Sequence, residues 1–212
     1  MLQIQAFSFN PFQENTYLIT NEQKLCWIVD PGMYDEKETK FLFDYISNNA
    51  LVPQSIINTH THIDHIFGVN AVMGQYNIPF GINEKDLPVL NAAVASAMMF
   101  GLSFSNTPQP TFFIGDKDTL QLGDDTLEVR FTPGHSPGSV VFYYAPGNWV
   151  IGGDVLFSGS IGRTDLPGGN FDTLIQSIKT QLLPLPEETT VYSGHGPSTT
   201  IGNEKQYNPF LV

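Results

Sequence analysis

The sequence is poor in cysteine and in basic residues, and each shortage excludes a class of protein or of binding partner. There is one cysteine, Cys26, so an internal disulfide framework and a cluster of metal-bound thiolates are both excluded. Lysine and arginine number 9 against 21 aspartates and glutamates, which gives a net charge of −12. This excess repels phosphate groups, so we expect no nucleic-acid partner, no membrane partner, and a small-molecule substrate instead.

Long apolar runs are also missing from the chain. No apolar stretch reaches the roughly 18 residues that a membrane-spanning helix requires. The opening MLQIQAFSFN has no basic segment followed by an apolar one, so we expect no signal peptide and a cytoplasmic protein. With 41% hydrophobic and 14% charged residues, the 212-residue chain can build a sizeable core. No repeat or linker divides it, and we predict one domain over residues 1–212.

Strand-like and helix-like patterns alternate along the chain. Alternation in LQIQAFSF predicts a strand, and so do the apolar runs NTYLIT and LCWIVD, the last of which would bury Cys26. Further strands are predicted at SIINT, IPFGI, TLEVRFTP, SVVFYYA, NWVIGGD and TVYSGH. Helices are predicted at residues 35–49, 65–76, 84–101 and 171–183. Because each half supplies strands and helices, the fold class should be α/β, with layered sheets.

Three of the five histidines fall within the stretch NTHTHIDHIFG, between a predicted strand and a predicted helix. His60 and His62 are two residues apart, so an extended backbone places both imidazoles on one side, where they can reach one ion. Asp64 and His65 lie at the turn into the helix and can reach a second position beside it. Imidazole and carboxylate are ligands that zinc favours.

The remaining histidines have the same setting. His135 in FTPGHSPGS and His195 in VYSGHGP each follow a strand and adjoin glycine, where the backbone can bend closely. Asp154 in VIGGDVLF also follows a strand and two glycines. All five histidines and two aspartates therefore lie at strand ends, which indicates a metal centre.

A serine nucleophile is a competing interpretation that the sequence argues against. The stretch from Gly134 to Gly138 matches the G-x-S-x-G pattern around Ser136. In that motif the residue after the serine donates its backbone N–H to an oxyanion, but here it is Pro137, which has no N–H. A strand rather than a helix is predicted to follow.

The ordered set His60-x-His62-x-Asp64-His65, His135, Asp154 and His195 resembles the metallo-β-lactamase superfamily of metal-dependent hydrolases, over nearly the whole chain. The resemblance implies a four-layer αββα sandwich with two divalent metal ions, zinc or else iron or manganese, held at one edge of the sheets. It further implies three groups of ligands. The first metal would be bound by His60, His62 and His135, the second by Asp64, His65 and His195, and both by Asp154.

Within the superfamily, the sequence is most similar to the glyoxalase II group, through THTHIDHIFG, FTPGHSPGSV and GGDVLFSGSIGRTDLPGG. This resemblance implies hydrolysis of a thioester, such as S-lactoylglutathione, by a hydroxide that bridges the metals beside Asp154. Asp64 and Asp154 are then the expected catalytic residues. A thiolate leaving group needs little help from a general acid, which fits the absence of a spare histidine.

Two departures from that group leave the preferred thioester open. The group has a basic C-terminal extension that grips glutathione, whereas GPSTTIGNEKQYNPFLV, with the single lysine Lys205, follows His195 here. The group also has a lysine followed by aromatic residues where this chain has Arg163-Thr164-Asp165. Arg163 can pair with a substrate carboxylate, or it can pair with Asp165 and brace a loop. The chain resembles the short, single-domain branch.

Three other functions fit parts of the pattern. A persulfide dioxygenase of the same superfamily keeps similar histidines and a GRTD segment around a single iron. A lactone, ester or phosphodiester hydrolase would share the scaffold, although the acidic charge disfavours a nucleic-acid substrate. A binding protein with structural metals fits less well, because structural zinc sites are closed and four-coordinate.

Weaker signals surround the predicted centre. Thr59 and Thr61 can hydrogen-bond the ligands or simply pack within their strand. Asp30, in IVDPG, is interpreted as part of a structural turn. The apolar stretch 84–101 is interpreted as core or subunit interface in preference to a substrate lid, although its Met and Phe residues would suit an apolar acyl group.

Overall fold

The strands assemble into two six-stranded sheets in a computed structural model that describes residues 1–212. The first sheet contains, in spatial order, β1 (Gln3–Phe9), β2 (Glu14–Thr20), β3 (Leu25–Val29), β4 (Val52–Ile57), β5 (Phe80–Ile82) and β6 (Phe112–Phe113). The second contains β7 (Thr119–Leu122), β8 (Asp125–Phe131), β9 (Val140–Tyr144), β10 (Trp149–Gly153), β13 (Thr190–Ser193) and β14 (Thr199–Thr200). A separate hairpin pairs β11 (Leu156–Phe157) with β12 (Ser160–Ile161).

Six α-helices cover the outer faces of the sheets. They are α1 (Glu36–Asn48), α2 (Val69–Tyr76), α3 (Leu87–Asn91), α4 (Ala93–Met99), α5 (Phe171–Ser177) and α6 (Ile201–Tyr207). Short 3₁₀ turns lie at Ile63–His65, Glu84–Asp86 and Ala145–Gly147, and α5 continues as a π-helical turn, Ile178–Leu182. None of the helices combines the length and hydropathy that crossing a membrane demands.

Alternating side chains of the strands build three buried clusters, one between each pair of layers. Between the sheets, Ile19 and Trp27 pack in the same cluster as Phe142. The neighbouring residues Leu18 and Ile28 point to the other face and pack in a cluster with α1 and α2. On the outer face of the second sheet, Val141 and Val150 pack with Leu174, Ile178 and Ile201. The predicted four-layer αββα sandwich is therefore confirmed.

Most long elements lie where the sequence pattern predicts them. Cys26 is buried in β3, as predicted, and burial raises the pKa of its thiol to about 12. Three helix predictions differ in detail. The helix predicted at 65–76 begins only at Val69, and the one at 171–183 ends as a π-helical turn. The helix predicted at 84–101 is a 3₁₀ turn followed by two short helices that meet at Ala92.

The direction of the strands explains why distant loops meet. Strands β3 and β4 are parallel, and β10 is parallel to β13. Strand β8 is antiparallel to β9, which is antiparallel to β10, so β8 also runs parallel to β10. The carboxyl ends of β8, β10 and β13 therefore share one edge of the second sheet, beside the ends of β3 and β4.

Candidate metal centre

The loops at this edge bring together two sets of potential metal ligands. The first set consists of His60 and His62, which follow β4, and His135, which follows β8. Nε2 of His135 lies 3.2 Å from Nε2 of His60 and 2.8 Å from Nδ1 of His62. Three imidazole nitrogens therefore converge on one point, an arrangement that a metal ion can occupy.

The second set consists of Asp64 and His65, in the 3₁₀ turn after β4, and His195, which follows β13. Oδ2 of Asp64 lies 3.1 Å from Nε2 of His195 and 3.8 Å from Nε2 of His65. One carboxylate and two imidazoles thus form another group with the composition of a metal site.

Asp154, directly after β10, lies between the two sets. Its Oδ1 is 3.4 Å from Nε2 of His65, and its Oδ2 is 3.5 Å from Nε2 of both His135 and His195. A single carboxylate therefore contacts members of both sets. The structure brings together all seven residues for which the sequence predicts metal binding.

Four of the histidines are oriented by a hydrogen bond at the ring nitrogen that faces away from the centre. Nδ1 of His65 lies 3.0 Å from Oδ2 of Asp30, and Nδ1 of His60 lies 3.1 Å from Oγ1 of Thr59. Nδ1 of His135 and Nδ1 of His195 bond to the carbonyl oxygens of Arg163, at 2.8 Å, and Phe12, at 3.0 Å. Such bonds leave Nε2 directed at the centre, as metal ligation requires.

The protonation states of the two sets differ. Burial and the neighbouring imidazoles hold the pKa of His60 well below its usual value and lower the pKa of His62 to about 3, so both are neutral at pH 7. In the second set, burial opposes charge, but the contacts with Asp154 and Asp64 raise the pKa of His65 well above its ordinary value. The second set therefore carries a proton that a metal cation would replace.

The seven side chains fit divalent cations, because two of their buried polar atoms lack a hydrogen-bond partner. Nε2 of His65 and Oδ1 of Asp154 are buried and have no hydrogen-bond partner. Buried polar atoms normally have one, and both of these atoms face the space between the ligands. Divalent cations bound between the ligands would replace the proton of the second set and give these unpaired atoms a partner.

Asp30 has a role that the sequence interpretation missed. Its backbone does form a turn, with φ of 49°, but its side chain is buried and accepts hydrogen bonds from N and Oγ1 of Thr59, at 2.7 and 2.5 Å. With His65 bonded to the same carboxylate, both oxygens are engaged. The interpretation of Asp30 as part of a structural turn was therefore correct but incomplete, because its side chain also holds ligand-bearing loops in place.

Asp86 was not singled out by any sequence motif. It is buried in the 3₁₀ turn before α3 and accepts hydrogen bonds from N and Oγ1 of Thr61, at 2.6 and 2.8 Å. Its Oδ1 accepts from N of Gly138, at 2.8 Å, and from Oγ of Ser136. Thr61 thus bonds Asp86 and not a ligand, and Asp86 joins the loop of His60 and His62 to the loop of His135.

A pocket of about 650 Å³ opens onto the ligands, and the stretch 84–101 forms part of its wall. Leu90, Ala93 and Ala97 are buried in the core, as interpreted from the sequence, but Val89 and Phe100 line the pocket. The interpretation of this stretch as core or interface was therefore incomplete. Its two short helices place apolar side chains beside the predicted metal centre.

Arg163 also lines the pocket, and it is paired with Asp165. Nε of Arg163 donates to Oδ1 of Asp165 and Nη2 donates to Oδ2, each over 2.7 Å. Both side chains are exposed. Of the two sequence-based alternatives for Arg163, the structure shows the ion pair that braces the loop.

Comparison with known proteins identifies relatives over nearly the full chain. The family model of the Metallo-beta-lactamase superfamily matches residues 9–195. The probable metallo-hydrolase YqgX of Bacillus subtilis is 43% identical over 95% of this chain and 93% of its own length. The hydroxyacylglutathione hydrolase GloC of Haemophilus influenzae is 36% identical over 99% of this chain and 98% of its own length.

Solved structures show the same fold. The BLEG-1 B3 metallo-beta-lactamase superposes with a TM-score of 0.91 at 39% identity, covering 99% of this chain and all of that one. TTHA1623 in a di-iron-bound form superposes with a TM-score of 0.87 at 38% identity, covering 98% of this chain and all of that one.

Proposed function

This chain belongs to the metallo-beta-lactamase superfamily of metal-dependent hydrolases, and we propose that it hydrolyses a thioester with the aid of two divalent metal ions. The observation that carries the proposal is the position of Asp154, whose carboxylate contacts His65 and His195 of one ligand set and His135 of the other. Two complete sets that share one carboxylate favour two ions over the single iron of a dioxygenase.

In the proposed centre, the ligands divide as the resemblance to the superfamily implies. His60, His62 and His135 would hold the first metal, Asp64, His65 and His195 would hold the second, and Asp154 lies where it could serve both. Bound metals would supply a water molecule of lowered pKa and polarise the carbonyl oxygen of the substrate. Zinc suits the imidazole and carboxylate donors, and iron or manganese suits them as well. The di-iron form of TTHA1623 supports keeping iron as an alternative.

The side chains of this protein prepare the site in three ways. Asp154 is ionised, because its contacts with His65 and the other imidazoles outweigh burial and hold its pKa well below the ordinary value. Asp30 fixes the ring of His65. The apolar lining, which includes Phe12 and Phe157, would exclude water once a substrate fills the pocket and so strengthen the electrostatic interactions at the reacting carbonyl.

A thioester is favoured over an amide or an unactivated ester by the leaving group. All five histidines are engaged at the predicted metal centre, so none is left to protonate a departing group. A thiolate departs without that help, since the pKa of a thiol is only about 8.5. The similarity to the hydroxyacylglutathione hydrolase GloC supports the same reaction class.

The deciding experiment measures metal content and hydrolysis on the same sample, purified without added metal. We expect about two metal ions per chain and turnover of S-lactoylglutathione. Changing Asp154 to Ala should lower the metal content and reduce kcat/KM by at least about 100-fold, because even a residue that only supports a ligand contributes 10- to 100-fold. Asp172→Ala, on the exposed first turn of α5, is the control.

Other outcomes would contradict the proposal. Full turnover by the Asp154→Ala variant would remove the shared carboxylate from the reaction. One iron per chain, with oxygen consumed in the presence of glutathione persulfide, would indicate the dioxygenase. Hydrolysis of a β-lactam in place of any thioester would indicate the activity named for BLEG-1.

A further inference from the structure

The pocket in front of the predicted metal centre is mostly apolar. Helices α3 and α4 contribute Pro88, Val89, Ala92, Met99 and Phe100 to its wall. The segment from the β11–β12 hairpin onward contributes Phe157, Ile161, Leu166 and Pro167. The ring of Phe12 lies edge-on to the ring of Phe100, with 5.3 Å between their centroids. Surfaces of this kind bind hydrocarbon chains, because burial of apolar area provides most of the affinity.

The charged groups of the same pocket do not suit an anionic ligand. Asp64, Asp154 and the three histidines of the lining belong to the predicted metal centre, and Arg163 is the only lysine or arginine in the lining. The guanidinium of Arg163 makes a two-point contact with the carboxylate of Asp165. A substrate carboxylate would therefore meet a guanidinium whose charge Asp165 already balances, and it would also approach a protein of net charge −12.

Glutathione carries two carboxylates, and outside the predicted metal centre neither finds an unpaired lysine or arginine in the lining of this pocket. Lys85, the basic residue nearest in sequence to α3, lies instead over the ring of Phe131, 4.2 Å from its centroid. The apolar wall and the paired arginine together favour a substrate other than S-lactoylglutathione, whose acyl group is short and hydroxylated.

Building on the proposed thioester hydrolysis, we propose that the preferred substrate is a thioester with an aliphatic acyl chain and a thiol portion that is uncharged where the pocket encloses it. The apolar wall of α3 and α4 binds the uncharged chains. Asp165 determines the specificity for the thiol portion, because it balances the charge of Arg163 and so weakens the attraction of this guanidinium for the carboxylates of an anionic thiol.

The test combines two acyl groups with two thiols. The four thioesters are S-lactoylglutathione, S-hexanoylglutathione and the lactoyl and hexanoyl thioesters of N-acetylcysteamine, which is uncharged. We expect the hexanoyl compounds to exceed the lactoyl ones in kcat/KM by about 10-fold, since a fully buried methylene contributes up to about fourfold. We also expect the N-acetylcysteamine thioesters to have higher kcat/KM values than the glutathione thioesters with the same acyl group. A preference for lactoyl, or for glutathione, would overturn the inference.

Variants of the ion pair test the role of Asp165 directly. Asp165→Asn frees Arg163, and we expect it to raise kcat/KM for S-hexanoylglutathione by about threefold or more, in line with one exposed ion pair. It should leave the N-acetylcysteamine thioester unchanged, and the gain should vanish in the double variant with Arg163→Gln. The exposed Asp172→Asn is the matched control. An unchanged rate with S-hexanoylglutathione would refute the role of Asp165.

Variants of the wall test the acyl site. Phe100→Ala should reduce the preference for hexanoyl over lactoyl by about threefold or more, because it removes apolar contact area. Met98, two residues away, is exposed and outside the lining, so Met98→Ala is the control. If the ratio of kcat/KM for hexanoyl over lactoyl thioesters were the same in both variants, the acyl chain would bind elsewhere and the assignment would be contradicted.

Binding of thioethers separates this inference from the proposed reaction. S-hexyl-N-acetylcysteamine and S-hexylglutathione cannot be hydrolysed, and calorimetry with the protein as purified measures their affinities. We expect the uncharged thioether to bind more tightly. Tighter binding of S-hexylglutathione would overturn the inference even if thioesters are hydrolysed. Absence of turnover with all four thioesters would overturn the proposed function, while the thioether affinities still decide which chemistry the pocket accepts.

Discussion

The Nδ1 atom of His65 lies 3.0 Å from Oδ2 of Asp30, and both side chains are completely enclosed by the protein. The same carboxylate accepts hydrogen bonds from the amide and hydroxyl of Thr59, so its position is fixed from two sides. Asp30 therefore keeps the His65 ring in the orientation that directs Nε2 at Asp154.

Asp30→Asn should weaken metal binding about 10- to 100-fold, the usual effect of changing a residue that supports a metal ligand. The substitution preserves the shape of the side chain but removes the charge that favours a proton on Nδ1 of His65. Competition with a chromophoric chelator measures the affinity. Asp44→Asn, in an exposed pair with Lys40, should bind metal as the unaltered protein does. Equal affinities for all three proteins would disprove the role.

Gly194→Ala should damage the predicted metal centre by steric contact. A Cβ atom at Gly194 would lie 2.1 Å from Oδ1 of Asp154 and 2.9 Å from Cε1 of His65, so the Asp154 carboxylate must move. Because Asp154 contacts both ligand sets, we expect at least about a 10-fold loss of metal affinity.

The control for Gly194→Ala is Gly74→Ala in α2, where a Cβ would meet nothing within 4 Å. Alanine is the better helix former, so this variant should be equally or more stable, by about 0.5–1 kcal/mol. Elemental analysis and thermal unfolding of both variants make the comparison. Full metal content in Gly194→Ala would show that the carboxylate has room to move.

Asp86→Ala should destabilise the protein by about 3 kcal/mol or more, because it leaves the buried amides of Thr61 and Gly138 without acceptors. Urea unfolding in the presence of chelator measures the free energy of unfolding without a contribution from metal. Asp172→Ala, which is exposed, should change it by no more than about 0.5 kcal/mol. A similar small change for Asp86→Ala would show that water replaces the lost carboxylate.

The stability of the metal-free protein should fall as pH rises from neutral to alkaline. Burial lowers the pKa of His195, but hydrogen bonds to Asp154 and Asp64 outweigh it and raise the pKa to about 9. The unfolded value is about 6.5, so protonated His195 stabilises the fold fully below pH 6.5. This stabilisation is lost as pH rises through about 9, and we expect a loss of about 2–3 kcal/mol.

Urea unfolding with chelator across this pH range measures that loss, and His195→Gln isolates it from the titration of His65. We expect a shallower dependence of stability on pH in the variant. Metal affinity should rise over the same range, because metal binds the neutral imidazole and displaces the proton. Parallel pH profiles for the variant and the unaltered protein would contradict the assignment to His195.

The sequence patterns by themselves predicted the α/β class and the set of potential ligands, and the four layers followed from the resemblance to the superfamily. The apolar run NTYLIT predicts a strand, and in the structure its neighbouring residues Leu18 and Ile19 pack in clusters on opposite faces of the sheet. The ligands are visible because histidine is rare in this chain and each one follows a strand. Two-residue strands such as β6 and β11 are too short to show any periodicity, and they were not predicted.

Only the tertiary structure decided which side chains hydrogen-bond the ligand-bearing loops and which side chains form the pocket wall opposite the ligands. Asp30 and Asp86 lie 29 and 25 residues from Thr59 and Thr61, to which they bond, so no local pattern relates them. Apolar content in 84–101 is the same whether the stretch lies in a core, an interface or a pocket wall. Local sequence determines which face of an element is apolar, whereas the packing of distant elements determines what that face meets.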